Sequence, residues 1–420
     1  MKKINSYLSL NNIYLFLVIF LPIGLLISSG VSESTEILII IIFLITCFYK
    51  SNFSWLKNKY CYLLILIWLS LLLNLLFSEN FNLSFVRNIT FFKNIIFVFA
   101  MCYILKKEKN LKLIFVLYLI ISLVVTFDIF FEYFNKKNIL GFQSYDPTRI
   151  ASFLGKELKI GAFVLGFSFI STSYYFEKYS SKSINYKIFG LFLIIVFFIS
   201  LLLTGERANS LRGTIMVILF ILFSKKEIFK FKKTYFTLIL IISIFTYLFS
   251  ERVRHRFDVI LLPAKDIGII EAFKETQHGA HFDTAIKIFQ KYTFFGVGNK
   301  NFREECLKDE YLNSSYKRTS ERCSTHPHQI YYELLSEHGL IGTIIITSVI
   351  FCVLFRSIKI YFRNRNSIHL ASILFVSVQF LPLLPSGSFF TSWGATIFWL
   401  NFSIIIFYNT KVNNLHNKIN

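Results

Sequence analysis

A chain of 420 residues that is 55% hydrophobic, 18% aromatic and only 16% charged falls well short of the roughly one quarter of charged residues found in soluble domains. Most of it must face something other than water. The formal charge of +21 would suggest a nucleic-acid partner in a soluble protein. Here, however, the lysines and arginines lie between apolar runs, where the positive-inside rule places them, so no nucleic-acid partner is expected.

Apolar runs recur along the whole chain, and each approaches the roughly 20 residues that cross about 30 Å of hydrocarbon as a helix. Twelve spans are predicted, at 12–30, 35–50, 60–78, 86–105, 111–134, 158–176, 186–204, 208–223, 233–250, 332–355, 369–385 and 391–409. The first lacks a small-residue cleavage site and is followed by further spans, which argues against a signal peptide. The predicted fold is an all-α polytopic membrane protein.

An even number of spans puts both termini on one side. Lys2, Lys3, Lys50, Lys57, Lys106, Lys107, Lys225, Lys226 and Arg363 share that side, so both termini are expected in the cytoplasm. The same register leaves one long polar segment, 251–328, outside. It mixes 13 Lys/Arg with 11 Asp/Glu and holds five of the eight histidines. Mixed charge and the helical pattern in HFDTAIKIFQKYTFFGVG predict a small folded cap. Three units follow: a membrane bundle over 1–250, an outer loop carrying the site over 251–328, and a membrane segment over 329–420.

The stretch STHPHQIYYELLSEHGLIG (324–342) closes that loop. Pro327 suits a helix start, which predicts His328 in the first turn with Tyr331, Tyr332 and Leu335 on its face. At a helix amino terminus the dipole favours neutral imidazole, the form that accepts a proton. The plainer reading is an interfacial histidine that anchors the helix. Gly339 and Gly342 would let a neighbouring helix approach closely. Glu333 and Glu337 share one face, turned either to a carbohydrate or to a neighbouring helix. Asp128 and Glu132, four apart near the end of the fifth span, are either functional intramembrane acids or residues emerging into the interface.

His328-Gln329, nine residues, then Gly339-Leu340-Ile341-Gly342 resembles the signature of the O-antigen ligase and O-antigen polymerase superfamily of bacterial inner membranes. FFGVGNKNF (294–302) is similar to that family's Gly-x-Gly element, LLLTGERAN (201–209) to its span-ending arginine motif, and TRIASFLG (148–155) to its earlier arginine-containing loop. The four pieces stand in the family's order and cover most of the chain.

The resemblance implies a helical membrane glycosyltransferase fold. It implies transfer of a glycan from undecaprenyl diphosphate to an acceptor hydroxyl on the periplasmic side of the inner membrane, without a metal. In a ligase the acceptor is lipid A-core; in a polymerase it is another lipid-linked repeat unit. His328 would act as general base on the acceptor hydroxyl or orient it, with His326 as a fallback, and attack opposite the leaving group would invert the anomeric centre. The residues agree in part. No Asp-x-Asp pair or His/Cys cluster of metal-binding spacing is present, so neither metal nor cofactor is expected. Guanidinium groups suit a departing diphosphate. Arg207 is the leading candidate, and Arg149 has a similar position. Where the family has an arginine early in the long loop, this chain has His278 and His281. Either a histidine replaces it, or one of Arg252, Arg254 and Arg256 reaches in.

Cys306 and Cys323 are the two cysteines of the outer loop, and an oxidising periplasm would permit a disulfide between them. A polytopic transporter or flippase is the competing class. No internal repeat and no matching pair of broken helices supports it.

Overall fold

The structure, a computed structural model, describes residues 2–416. Its helix starts are set by polar residues that accept a hydrogen bond from the first turn. Ser28 accepts from the Val31 amide (3.1 Å), Asn58 from Tyr60 (3.0 Å), Asn80 from Leu83 (3.3 Å), Thr276 from Gly279 (3.2 Å) and Asn366 from Ile368 (3.1 Å). Each such cap satisfies an amide the helix leaves unpaired and contributes about 1 kcal/mol.

The described residues form α1 (Lys2–Ile27), α2 (Ser29–Tyr49), α3 (Lys59–Leu75), α4 (Phe81–Thr90), α5 (Phe92–Leu105), α6 (Glu108–Asn135), α7 (Ile160–Tyr179), α8 (Ile184–Leu203), α9 (Arg207–Phe223), α10 (Lys232–Phe249), α11 (Glu251–Ile267), α12 (Ile269–Lys274), α13 (Gln277–Lys291), α14 (Phe302–Glu305), α15 (Ile330–Asn364), α16 (Ser367–Gln379) and α17 (Ser392–His416), with no strand among them. Seven stretches are long and apolar enough to cross a membrane, and α3 and α16 are shorter apolar helices. The fold is thus the expected all-helical polytopic kind.

At the centre is α7, packed against α6, α8, α16 and α17. Its buried Ser171 donates to the Phe167 carbonyl at 2.7 Å, a bond to the preceding turn that satisfies the hydroxyl in a low-dielectric interior. Peripheral α2, α8 and α10 instead turn apolar side chains outward, among them Phe48, Ile188 and Phe249. An apolar exterior around a core that holds the polar side chains suits a lipid surround.

Three departures from the sequence expectation place the site. The span expected at 86–105 begins earlier and is broken into α4 and α5 at Phe91. The span expected at 369–385 ends at Gln379, because Pro382 and Pro385 cannot continue the amide ladder. Buried Arg212 of α9 takes the carbonyls this frees: Val378 (3.1 Å), Leu384 (3.3 Å) and Pro385 (2.8 Å). Segment 380–391 thereby becomes a loop over the site. Finally, α15 is interrupted at Gly339, whose φ of 61° and ψ of −167° are not helical.

The acids of α6 fasten another loop. Asp128 accepts from the Ile139 amide at 2.7 Å and from the Ser152 hydroxyl, and Glu132 accepts from the Ser152 (2.6 Å) and Ala151 (3.3 Å) amides. They hold segment 136–155, which carries Arg149.

Candidate active site

Gln329, not His328, starts α15. Its side-chain oxygen accepts from the Tyr331 (2.7 Å) and Tyr332 (3.1 Å) amides. His328 therefore lies one residue before the cap, in the left-handed region at φ 60°, and does not share a helical face with Tyr331 and Leu335. Its carbonyl accepts from the Ser386 amide at 2.7 Å, and its Nε2 lies 2.9 Å from the Ser324 hydroxyl. The unusual backbone is held at both ends.

Three further histidine rings surround it. His326 lies 4.2 Å from His328 between ring centroids, His281 5.2 Å and His278 5.5 Å. His278 and His281 come from the first turns of α13, brought here by the packing of α13 on α15, with Phe282 stacked on Tyr332 at 4.3 Å. Burial, reinforced by the charge on His281, pushes His328 down to about 4. Burial and then the charge of His328 push His278 and His326 to about 3. His281 is lowered mainly by burial, against backbone carbonyls of Glu321 and Cys323 that favour its charged form. At neutral pH the four rings are uncharged, and such a ring can accept a proton. Among the described residues, no three His, Cys, Asp or Glu side chains are disposed to hold a metal ion.

Beside the histidines sits a group of arginines. Arg207, at the start of α9, donates to the Arg256 carbonyl at 3.1 Å. Arg256 donates from Nε to the Gly205 carbonyl at 3.2 Å and faces Asp146 at 3.7 Å. Arg149 donates to the Leu158 carbonyl, and its charge, after burial, lowers Arg256. The charges of Arg207 and Arg256 both reach His278. Of the three loop arginines, Arg256 is the one that comes in. Arg252 lies over the Tyr133 ring at 5.4 Å, and Arg254 turns back to the Leu248 carbonyl at 3.4 Å. Two carboxylates, Asp146 and the buried Glu206, act on Arg256, and three guanidiniums still leave donors and positive charge for a phosphate group.

The Gly-x-Gly element packs against the break in α15. Val297 donates to the Ser336 carbonyl (2.9 Å), Gly298 to Glu337 (2.9 Å), and Leu340 in return to Thr293 (2.8 Å). The expected helix–helix approach at Gly339 is therefore an approach of this loop. Glu337 accepts from the Lys300 (2.9 Å) and Phe302 (3.2 Å) amides, and Glu333 accepts from the Phe389 amide (2.9 Å) and the Ser388 hydroxyl. These acids fasten the loops on either side of the helix. A disulfide joins Cys306 to Cys323, Cα atoms 5.4 Å apart, and closes the segment that leads to Ser324 and the histidines.

Sequence reasoning passed over Asn74 and Asn88. Asn74 donates to the Phe295 (2.7 Å) and Glu337 (2.9 Å) carbonyls, and Asn88 accepts from Asn299 at 2.8 Å. The available signal was an amide side chain inside the apolar run LLLNLL, costly there unless paired.

Residues 189–347 match the family model described as O-antigen ligase. The matched stretch contains Arg207, Arg256, His278, His281, His326, His328 and both glycine elements. That domain belongs to the O-antigen ligase superfamily. The O-antigen ligase domain begins in α8 and ends within α15, so it spans the arginine and histidine groups described above, while Arg149 is brought to it from outside. No curated protein matches the chain.

Proposed function

We propose that the protein transfers a glycan from undecaprenyl diphosphate to an acceptor hydroxyl, with lipid A-core as acceptor. The observation that carries this reading is the adjacency of neutral histidines to a group of arginines short of counter-charge, through His278. In the proposed step His328 takes the proton of the acceptor hydroxyl. The freed oxygen bonds to the anomeric carbon as the bond from that carbon to the diphosphate breaks. The electron pair leaves with undecaprenyl diphosphate, whose charge Arg207, Arg256 and Arg149 receive. His281 and His326 keep the site dry and uncharged around His328. Attack opposite the leaving group inverts the anomeric centre.

Twelve crossings, with both termini cytoplasmic and 251–328 periplasmic in the inner membrane, fit this chemistry. They set the arginines at the headgroup level of a lipid diphosphate and agree with the lysine distribution. In this reading 1–250 is the first membrane bundle and 329–420 the second.

Deletion of the gene followed by electrophoresis of extracted lipopolysaccharide tests the reading. Core without O-chain, with polymer accumulating on undecaprenyl diphosphate, is the expected result. Core bearing a single repeat unit would make the protein a polymerase. An unchanged profile, together with no transfer from a lipid-linked donor by purified protein, would reject both in favour of a transporter.

A further inference from the structure

The histidine group has a second basic neighbourhood. Arg303 of α14 donates from Nη2 to the Thr325 carbonyl at 3.3 Å, immediately before His326, while its Nε is buried with no hydrogen-bond partner among the described residues. Arg87 of α4 donates from Nη1 to the Phe390 carbonyl at 2.6 Å. Lys300 joins them because the preceding Asn299 is tied to α4 around Arg87, accepting at its carbonyl from Ser84 (2.9 Å) and donating to Asn88 (2.8 Å). Burial first, and then the charges of Arg87 and Arg303, lower Lys300.

Among the described residues no acid lies within ion-pairing distance of Arg87, Lys300 or Arg303, although Lys93 is paired with Glu33 and Arg256 with Asp146. The nearby carboxylates are engaged elsewhere. Glu337 holds the Lys300 and Phe302 amides, Glu333 holds the Phe389 amide and Ser388, and Glu33 also accepts from Ser392. Glu33 and Glu337 act on Arg87 and Lys300 only from beyond ion-pairing distance. The three half-buried cations therefore keep mutual repulsion and free donors, and an anion placed among them would be bound by charge-assisted hydrogen bonds.

We propose that Arg87, Lys300 and Arg303 form a subsite for an anionic group, phosphate or carboxylate, on the acceptor. The inference rests on the transferase reading and names a property of its second substrate. Two substrates must meet at His328. The donor's diphosphate is assigned to the arginines that reach His278, and Arg303 is felt at the other flanking ring, His326. A second, separate basic group at the same histidine therefore belongs to the second substrate, holding its anion so that a hydroxyl lies at His328.

The test uses full-length protein in phosphatidylcholine vesicles, a lipid-linked donor, and lipid A-core either native or stripped of phosphates with its carboxyls reduced. Arg303→Gln and Lys300→Gln should each raise the KM for native acceptor by about tenfold, the loss of one charge-assisted contact. Donor KM should be unchanged, as should KM for the stripped acceptor. Arg303→Lys, which keeps the charge, should recover most of the loss and guards against simple misfolding. The same shift for both acceptors, or for donor and acceptor alike, overturns the inference. A shift that follows anionic phospholipid added to the vesicles also overturns it, by identifying a headgroup as the anion. Transfer by the wild type with no effect of the substitutions removes this inference alone; absence of wild-type transfer removes the transferase reading with it.

Discussion

Gly296 and Gly339 pack backbone to backbone. A Cβ on Gly339 would lie 2.5 Å from the Gly296 nitrogen, and one on Gly296 would lie 2.5 Å from the Glu337 carbonyl oxygen. Both residues also have positive φ, 71° and 61°. The two glycine elements are therefore the two halves of one joint, in which the loop at 293–298 pairs with amides and carbonyls that the break in α15 sets free. The joint fixes the start of α15, and with it His328, relative to the loop that carries Lys300 and α14.

Gly339→Ala or Gly296→Ala should open this joint. Strained backbone and overlap each cost about 1–3 kcal/mol, so the purified variant should melt several degrees lower and lose most transfer. A Gly339→Ala protein with unchanged melting temperature would contradict the described packing.

His328→Ala should slow transfer by a factor of about 10² or more, the usual contribution of a general base, while leaving the melting temperature near that of the wild type. Full transfer by this variant would assign the proton to another group, with His326 the next to test.

The pH dependence carries a sign. An exposed histidine titrates near 6.5, whereas His328 is held at about 4 and His278 and His326 at about 3. Between these limits the unfolded chain binds more protons than the folded one, so stability rises with pH. The contribution is complete above about 6.5 and is lost as pH falls through about 4. Transfer should accordingly hold its rate down to about pH 5, and an acidic limb centred near 6.5 would mean that His328 is hydrated and not buried among the other rings.

Arg256→Gln should weaken donor use, raising donor KM or lowering the rate by tenfold or more, roughly one charge-assisted contact. Arg254→Gln, two residues away but turned to the Leu248 carbonyl, should behave as wild type. Equal effects of the two would indicate a diffuse role for the charge of α11 and not a phosphate contact.

Reducing the Cys306–Cys323 disulfide should lower stability by about 3 kcal/mol, the loop-closure value for its 17-residue separation. Transfer should fall as well, because Ser324 next to Cys323 is the hydrogen-bond partner of His328. Non-reducing electrophoresis with thiol alkylation reads the bond directly, and two alkylatable cysteines in the untreated protein would show that it does not form.

The sequence by itself determined the all-helical membrane architecture, because apolar runs of spanning length are a local property that no tertiary contact is needed to express. It also singled out His328 and Arg207 as residue types at odds with their surroundings, while the resemblance to a family pointed to Arg149, the alternatives for the loop arginine and the Gly-x-Gly element. The tertiary structure alone decided how these pieces meet. Arg256 and not Arg254 turns inward because α11 is seated against Gly205, a contact 51 residues away that periodicity cannot encode. Gln329 and not His328 begins α15, since the outcome depends on which side chain reaches the first amides. Arg212, Asn74, Glu333 and Glu337 read as isolated polar residues in apolar surroundings, and their partners lie in loops distant in the chain. Their roles follow from the requirement that a buried polar group find a partner, and only the fold supplies one.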